Sequence, residues 1–343
     1  MTGTGLIFIA NPFAMRGKGA KYIAQLEEEL KRRCVAYTLL RTERRLHAME
    51  LAREAAETHP DATIVAVGGD GTVNEVANGI LGRGPTLGII PVGSGNDFVK
   101  SVGIDAHSVV AALEILLAGK TFLVDVGKVS VGEGERPAGV RIFMNGIGIG
   151  FDGYIAARTL RYKRLRGWWL YLVSFLRTVA VFRTPDMVVR VPGVEIHSPH
   201  LLVSIGNGHS SGGKFLLTPD AVVDDGQLDI CLVDDLSTAR ILRVFPSVFK
   251  GTHDRFPEVH FLRAPTIEVV GARGLYVHAD GELLSQGEFN RFEVVTLPQS
   301  LRVIGKEIHR PSRQRSIGSR GRSRSQGNHP AAGLSFDDDR VRD

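Results

Sequence analysis

Apolar residues follow two rhythms along this chain, and the change comes near Gly127. Before it, short apolar runs (Gly5–Ala10, Val35–Leu40, Ile64–Val67, Leu87–Ile90 and Phe122–Val129) alternate with stretches whose apolar positions recur at helical spacing. Those stretches are Ala20–Arg33, with Ile23, Leu26 and Leu30 on one face, then Leu46–Thr58, Val73–Leu81 and Ser108–Leu117. Regular alternation of strand and helix predicts βα units, a parallel sheet and right-handed crossovers. After Gly127 the runs are short and β-rich: Val140–Asn145, Val188–Val191, Leu201–Ile205, Gln227–Val233, Thr266–Val270, Leu275–Ala279 and Phe292–Leu297. Gly, Pro and Asp turns separate them, which predicts a β-sandwich. Helical stretches at Arg161–Phe182 and Thr238–Lys250 interrupt this half, and Leu301–Ile304 is the closing strand. The expected fold class is α/β plus all-β. Residues 1–127 form an α/β domain closed by the strand near 300–307, and residues 128–299 form the sandwich. Residues 310–343 form a tail, disordered because Pro311–Asn328 is rich in Ser, Arg and Gly and has almost nothing to bury.

Charge and cysteine content narrow the class. The chain has 343 residues, 43% hydrophobic, with a formal net charge of +5. From Arg310 onward there are eight Arg against four Asp, so +4 of that charge lies in the tail and about +1 in the body. A basic balance concentrated there does not support a nucleic-acid partner for the folded part. Cys34 and Cys231 are far apart, which argues against a disulfide framework and for a reducing, cytoplasmic location. Leu6–Ala10 leads directly into Asn11-Pro12 without a basic preceding region, so it reads as a first strand and not a signal peptide. No apolar stretch approaches bilayer-spanning length.

Three strands end in glycine-rich polar turns. They are Ile64–Val67 before Gly68-Gly69-Asp70-Gly71-Thr72, Leu87–Pro91 before Gly93-Ser94-Gly95-Asn96-Asp97-Phe98, and Leu275–Ala279 before Asp280-Gly281-Glu282. The first two read as anion cradles at carboxyl strand ends, where ligands of open α/β sheets bind. Thr72-Val73-Asn74-Glu75 fits a capping box, with Thr72 as N-cap and Glu75 reaching back, and the helix amino end then faces a phosphate. The glycines are expected to supply unusual backbone angles. Asp70, at the tip of a buried strand, is a candidate metal or proton holder. Asn11 and Thr42 leave neighbouring strands on the same rim. The third turn brings two carboxylates, and cradles with spare carboxylates point to phosphoryl transfer with Mg²⁺ and a positioned base. Gly148–Gly153 spells GxGxxG after a strand, yet no acid occurs between Asp152 and Asp186 to hold a ribose. A Walker A loop and zinc-spaced histidines are absent.

Taken together, Gly68–Ile80 followed by Pro91–Phe98 resembles the catalytic domain of the diacylglycerol kinase family, relatives of sphingosine and ceramide kinases. The resemblance continues through Asn145-Gly146, Phe151-Asp152, Asn207-Gly208, Gly212-Gly213, Pro219–Gly226 and Asp280-Gly281-Glu282, covering roughly residues 3–307. It implies a domain of NAD-kinase and phosphofructokinase type, a carboxyl-terminal β-sandwich, and ATP bound between them. It further implies nucleotide contacts from Asn11, Thr42, Gly68, Gly69, Asp70, Gly71, Thr72, Asn74, Glu75 and Ser94. Asp97 would face a lipid hydroxyl and the metal network, and Glu282 would be general base with Asp280 beside it. A separate structural Mg²⁺ would sit on Asp225 and carbonyls near Val222 and Gln227, with Asp125 and Lys163 as a supporting acid and base.

Two departures stand out: a longer first loop, Asn11–Gly19, and Ser94 in place of a commoner threonine. The implied partners are a lipid alcohol and a peripheral membrane surface, with docking expected through Arg158–Arg183, where Trp168-Trp169 and apolar neighbours follow a basic run. A buried helix is the plain alternative for that run. The rival functions are a soluble-substrate kinase of NAD-kinase type and a catalytically silent nucleotide- or lipid-binding protein.

Overall fold

The computed structural model describes residues 5–105, 108–159 and 167–311. The elements run β1 (Leu6–Ala10), α1 (Ala14–Gly17), α2 (Gly19–Arg32), β2 (Thr38–Arg41), α3 (His47–Thr58), β3 (Thr63–Gly68), α4 (Asp70–Ile80) and β4 (Thr86–Pro91). Next come α5 (Asp97–Ser101), α6 (Val109–Ala118), β5 (Thr121–Glu133), β6 (Arg136–Phe143), β7 (Gly146–Gly150), α7 (Phe151–Thr159) and α8 (Gly167–Val181). The chain continues with β8 (Asp186–Val191), β9 (Val194–Gly206), β10 (Leu228–Asp234), α9 (Thr238–Val248), β11 (Val259–Ala264), β12 (Thr266–Gly271), β13 (Tyr276–Ala279), β14 (Glu282–Gln286) and β15 (Arg291–Ile304).

Strands β2, β1, β3 and β4 lie side by side in parallel, as βα alternation requires. Every residue of β3 is buried, because helices cover both faces of a parallel sheet. β15 ties the halves together. Its end pairs parallel to β4 at Val303↔Leu87, while the strand runs antiparallel to β5 along its length and to β12 over Arg291–Val295. The second half is antiparallel. Ile147, Ile149, Val203, Ile205, Ile230 and Leu232 from one sheet meet Val189, Val269, Phe292 and Val294 from the other in one core. Phe292 is fully buried there, and its truncation to Ala would cost about 3–5 kcal/mol.

Several elements differ from the expectation. β2 starts at Thr38, not Val35: Cys34 takes φ +53° and the Val35 N–H donates to Leu30 O, so these residues close α2. Phe292–Leu297 and Leu301–Ile304 are one strand with an irregularity at Leu297/Leu301. β7, β11 and β14 are strands that the apolar rhythm did not mark. Of the helix expected over 161–182, the described part is α8; α7 precedes that range, and the basic residues 161–166, Lys163 included, lie outside the described residues, as do residues 312–343. Phe175 and Val179 of α8 are buried, with Phe175 stacked on Phe245 at 3.9 Å, whereas Leu176 and Val181 are 48% and 52% exposed. That helix is part core and part surface.

Candidate active site

Because β3 and β4 pair with Gly68 opposite Pro91, the turns that follow them are neighbours. They touch through backbone. A Cβ on Gly93 would lie 2.6 Å from Gly69 Cα, and one on Gly69 would lie 3.2 Å from Gly93 Cα. A Cβ on Gly68 would meet Thr72 Oγ1 at 2.4 Å. Gly68, Gly69, Gly71 and Gly93 all have negative φ, so these glycines serve close approach and not the unusual angles expected. Asn11 donates its side-chain amide to Thr72 Oγ1 at 3.2 Å, and the Thr42 N–H donates to Ala10 O, which anchors β1, β2 and α4 to one rim. Ser94 is exposed at the tip of the second turn.

The expected capping box does not form. Gly69 is the N-cap of α4 and no side chain caps it. Thr72 Oγ1 accepts from Asn11, and Glu75 accepts from the Leu46 and Ala48 N–H groups at 3.1 and 3.2 Å, capping α3 instead. An uncapped helix start at a rim leaves N–H donors and a positive dipole end for an anion.

Carboxylates converge beside this rim. Asp70 accepts the Asp97 N–H at 2.6 Å, so it does have a structural role, holding the start of α5. Asp97 accepts from Ser210 Oγ at 2.8 Å, the Gly213 N–H at 2.9 Å and Lys100 Nζ at 3.0 Å. A Cβ on Gly95 would lie 2.9 Å from Asp70 Oδ2 and 3.2 Å from Asp97 Oδ2, so both acids face that glycine. Burial, with the negative charges of Asp97 and Asp280, pushes the Asp70 carboxyl up to about 6.

Asp280 and Gly281 form the two-residue turn between β13 and β14 at φ +47° and +81°, as an Asp-Gly hairpin requires. The Asp280 carboxylate accepts from the N–H groups of Met144, Asn145 and Gly146 at 2.7, 2.9 and 3.0 Å and from Asn74 Nδ2 at 2.8 Å. It thereby fastens the sandwich to α4; burial still keeps its pKa raised against those four donors. Glu282 turns elsewhere, onto the guanidinium of Arg141 and, at 3.4 Å, that of Arg45. Neither arginine was singled out from the sequence. Arg45 follows β2 on the same rim as Thr42, which was the available signal.

The comparisons with known proteins agree with this layout. The diacylglycerol kinase catalytic domain pattern matches residues 5–129, and the YegS C-terminal NAD kinase beta sandwich-like domain matches residues 145–305. A diacylglycerol kinase of Mycobacterium tuberculosis is 30% identical over 297 residues, spanning 86% of this chain and 93% of its own. The chain belongs to the diacylglycerol kinase family. A second diacylglycerol kinase, from Bacillus subtilis, is 27% identical over 289 residues, with 82% and 91% covered. A solved diacylglycerol kinase from Bacillus anthracis shares the fold of this family member, with TM-score 0.65 and 22% identity over 89% of this chain and 98% of the other.

Elsewhere in this diacylglycerol kinase family member, the turn proposed for a structural cation is already engaged. Asp225 accepts the Gln227 N–H at 3.0 Å and pairs with the Arg263 guanidinium, which also reaches Asp229 at 3.3 Å. Asp125, fully buried, accepts from the Gly226 and Gln299 N–H groups at 2.6 and 2.7 Å and fastens this turn to β15. Val222 is buried. Asp225 and Gln227 are thus brought together, with an arginine supplying the charge that a cation would bring. Asp70 and Asp97 also lie together, but Asp97 is likewise paired with a cation, Lys100 Nζ at 3.0 Å, and burial first, then the charges of Asp97 and Asp280, raise the Asp70 carboxyl.

Proposed function

We propose that this protein transfers the γ-phosphate of ATP to the hydroxyl of a lipid alcohol, diacylglycerol or a similar lipid, at the cleft between the α/β half and the sandwich. The observation that carries the reading is the convergence of Asp70 and Asp97 beside the uncapped amino end of α4. Asn11, Thr42, Gly68–Thr72 and Ser94 line the rim on which the nucleotide rests, with Asn74 and Glu75 as the wall that keeps Asp280 and α3 in place. Asp70 and Asp97 would hold Mg²⁺, which neutralises phosphate charge during transfer. Glu282 is the base in this reading. Arg141 and Arg45 hold its carboxylate in this arrangement, and phosphates that draw the arginines away would release it. Asp280 acts by fixing the turn that carries Glu282.

The acceptor has to be reached at a membrane surface. No described helix is long and apolar enough to cross a membrane, and the exposed Leu176 and Val181 of α8 supply an apolar contact for peripheral docking. The deciding experiment incubates the protein with radiolabelled ATP and Mg²⁺ against diacylglycerol, monoacylglycerol, ceramide, sphingosine and NAD. Label in a lipid product is expected. Label in NAD alone would convert the reading to a soluble-substrate kinase, and ATP binding without transfer to any acceptor would leave a silent binding protein.

A further inference from the structure

The sheet face turned away from the sandwich core carries polar groups that phosphoryl transfer as described above does not use. On it, His278 of β13 stands opposite Gly148 of β7, and Gly148 opposite Ser204 of β9. Residues 146, 148 and 150 of β7 are all glycine on this face, so β7 puts no side chain there. Asp152, at the start of α7, comes down into the space. A Cβ on Gly148 would lie 2.3 Å from Asp152 Oδ2 and 2.5 Å from His278 Nε2, and those two atoms are 2.9 Å apart. The glycines of the GxGxxG spelling therefore make room for an Asp–His pair.

Beside the pair is a cavity of about 10 Å³, the size of one hydroxyl or one water. Asn145, Gly146, Asp152, Ser204, Ser210 and His278 contribute to its wall. Two buried atoms of those residues, Asn145 Oδ1 and His278 Nδ1, have no hydrogen-bond partner, and Asn145 and His278 are only 8% and 7% exposed. Buried polar atoms are rarely left unpaired, so a hydrogen-bonding group, a water or a hydroxyl, would complete this wall. The position is informative. Ser210 donates to Asp97 at 2.8 Å, while the Asn145 and Gly146 N–H groups donate to Asp280 at 2.9 and 3.0 Å. An occupant therefore sits one residue away from both carboxylates. In the other direction the face turns apolar, with Leu202 opposite Gly150 and packed among Phe151, Phe175 and Val179.

We propose that Asp152 and His278 are positioning residues for the hydroxyl-bearing head of the phosphate acceptor, with Asn145 and Ser210 completing the niche. This rests on the lipid-kinase reading. Asp152 fixes the ring through Nε2, which leaves Nδ1 for the head group; no proton needs to leave the pair. Burial opposes a charged His278 ring, but Asp152 and Asp280 outweigh it and raise its pKa, which favours Nδ1–H as a donor to the head oxygen.

The test is steady-state kinetics in mixed micelles with a short-chain diacylglycerol, a monoacylglycerol and a ceramide, at saturating ATP. His278→Leu and Asp152→Asn are expected to raise the acceptor KM about tenfold or more, the loss of a hydrogen bond to a charged group, with ATP affinity by calorimetry unchanged. His278→Gln, which keeps a donor, should recover most of the loss. An unchanged acceptor KM in folded variants overturns the proposal and makes the niche the seat of an ordered water only. If both variants fail to fold, Ser204→Thr decides: one added methyl in the wall raises the acceptor KM when the head sits there, and no change overturns the assignment. A wild-type protein that binds ATP but phosphorylates none of the three lipids overturns the lipid-kinase reading, and this proposal with it.

Discussion

The turns after β3 and β4 and the turn between β13 and β14 are alike in composition, Gly and Asp, and differ in what fixes them. The first pair is held mainly by closeness: Gly69 and Gly93 pack backbone to backbone at ordinary φ. Asp70 accepts the Asp97 N–H across the turns, only Asn96 among their residues takes a positive φ, and no side chain caps α4. The hairpin is held by handedness and by its own acid, with two positive φ angles and an Asp280 carboxylate that accepts four hydrogen bonds. The first pair leaves donors for a ligand, whereas the hairpin uses up its acceptors on the protein. A glycine-acid turn in sequence is therefore two different devices. The neighbours decide which.

The sharpest way to break the first device is Gly69→Val. Its Cβ would sit 3.2 Å from Gly93 Cα, and its γ-methyls would part the two turns. ATP affinity is expected to fall by more than about 100-fold, some 3 kcal/mol, while the sandwich stays folded. Calorimetry that finds unchanged affinity would make the turn a connection and nothing more.

At the hairpin, Glu282→Gln and Asp280→Asn should separate chemistry from construction. Glu282→Gln keeps the shape and removes the base, so kcat should fall about 100-fold or more with little change in the KM for ATP. Asp280→Asn offers an amide where three N–H groups donate, and stability should drop by about 2–4 kcal/mol, read as a lowered denaturant midpoint. Near-normal turnover in a folded Glu282→Gln variant would remove that residue from the mechanism. Arg141→Ala, which frees Glu282, refines the point: it should weaken nucleotide binding more than it slows the chemical step.

The parallel half was legible because burial on both faces gives continuous apolar runs, as in β3, and the chemistry-bearing turns follow directly from strand ends. β7 was missed because Gly146, Gly148 and Gly150 dilute its apolar signal, although Ile147 and Ile149 are buried core. α7 was hidden for a related reason: Gly153 lies where a Cβ would meet Tyr276 O at 2.2 Å, a tertiary demand that local propensity opposes. Within the site, Asp70, Asp97 and Asp280 were readable as charges at strand ends. Their partners were not. Arg45, Arg141, Ser210 and the Asn74 bond to Asp280 join elements far apart in sequence, and only the fold brings them together.

The charge on the cradle side gives a pH test. An unfolded Asp70 titrates near 3.8 and the folded one near 6, so folding takes up a proton between these values. The stability it contributes is fullest below pH 4 and declines as pH rises through 6. Asp70→Asn should therefore stabilise the nucleotide-free protein at pH 7.5, by up to about 3 kcal/mol, and have no such effect near pH 4. The same variant should lose Mg²⁺-dependent ATP binding. A stability difference that does not change between the two pH values would show that Asp70 ionises normally.

The smallest effect is expected at the Asp225 turn, where the acid already has its cation in Arg263. The pair is partly exposed, so Asp225→Ala should cost no more than about 1 kcal/mol. Asp229 remains beside Arg263 at 3.3 Å; burial, with Asp225 and Asp220 nearby, pushes its carboxyl up to about 7 despite the arginine. Removing Asp225 takes away one of those charges and should lower that value. Mg²⁺ sharpens the contrast with the cleft. Arg263→Ala frees the Asp225 carboxylate, so any Mg²⁺-dependent rise in Tm should be larger in that variant than in the wild type. A rise in the wild type that Asp225→Ala abolishes and Arg263→Ala leaves unchanged would mean that the turn holds a cation in solution and that the arginine yields to it.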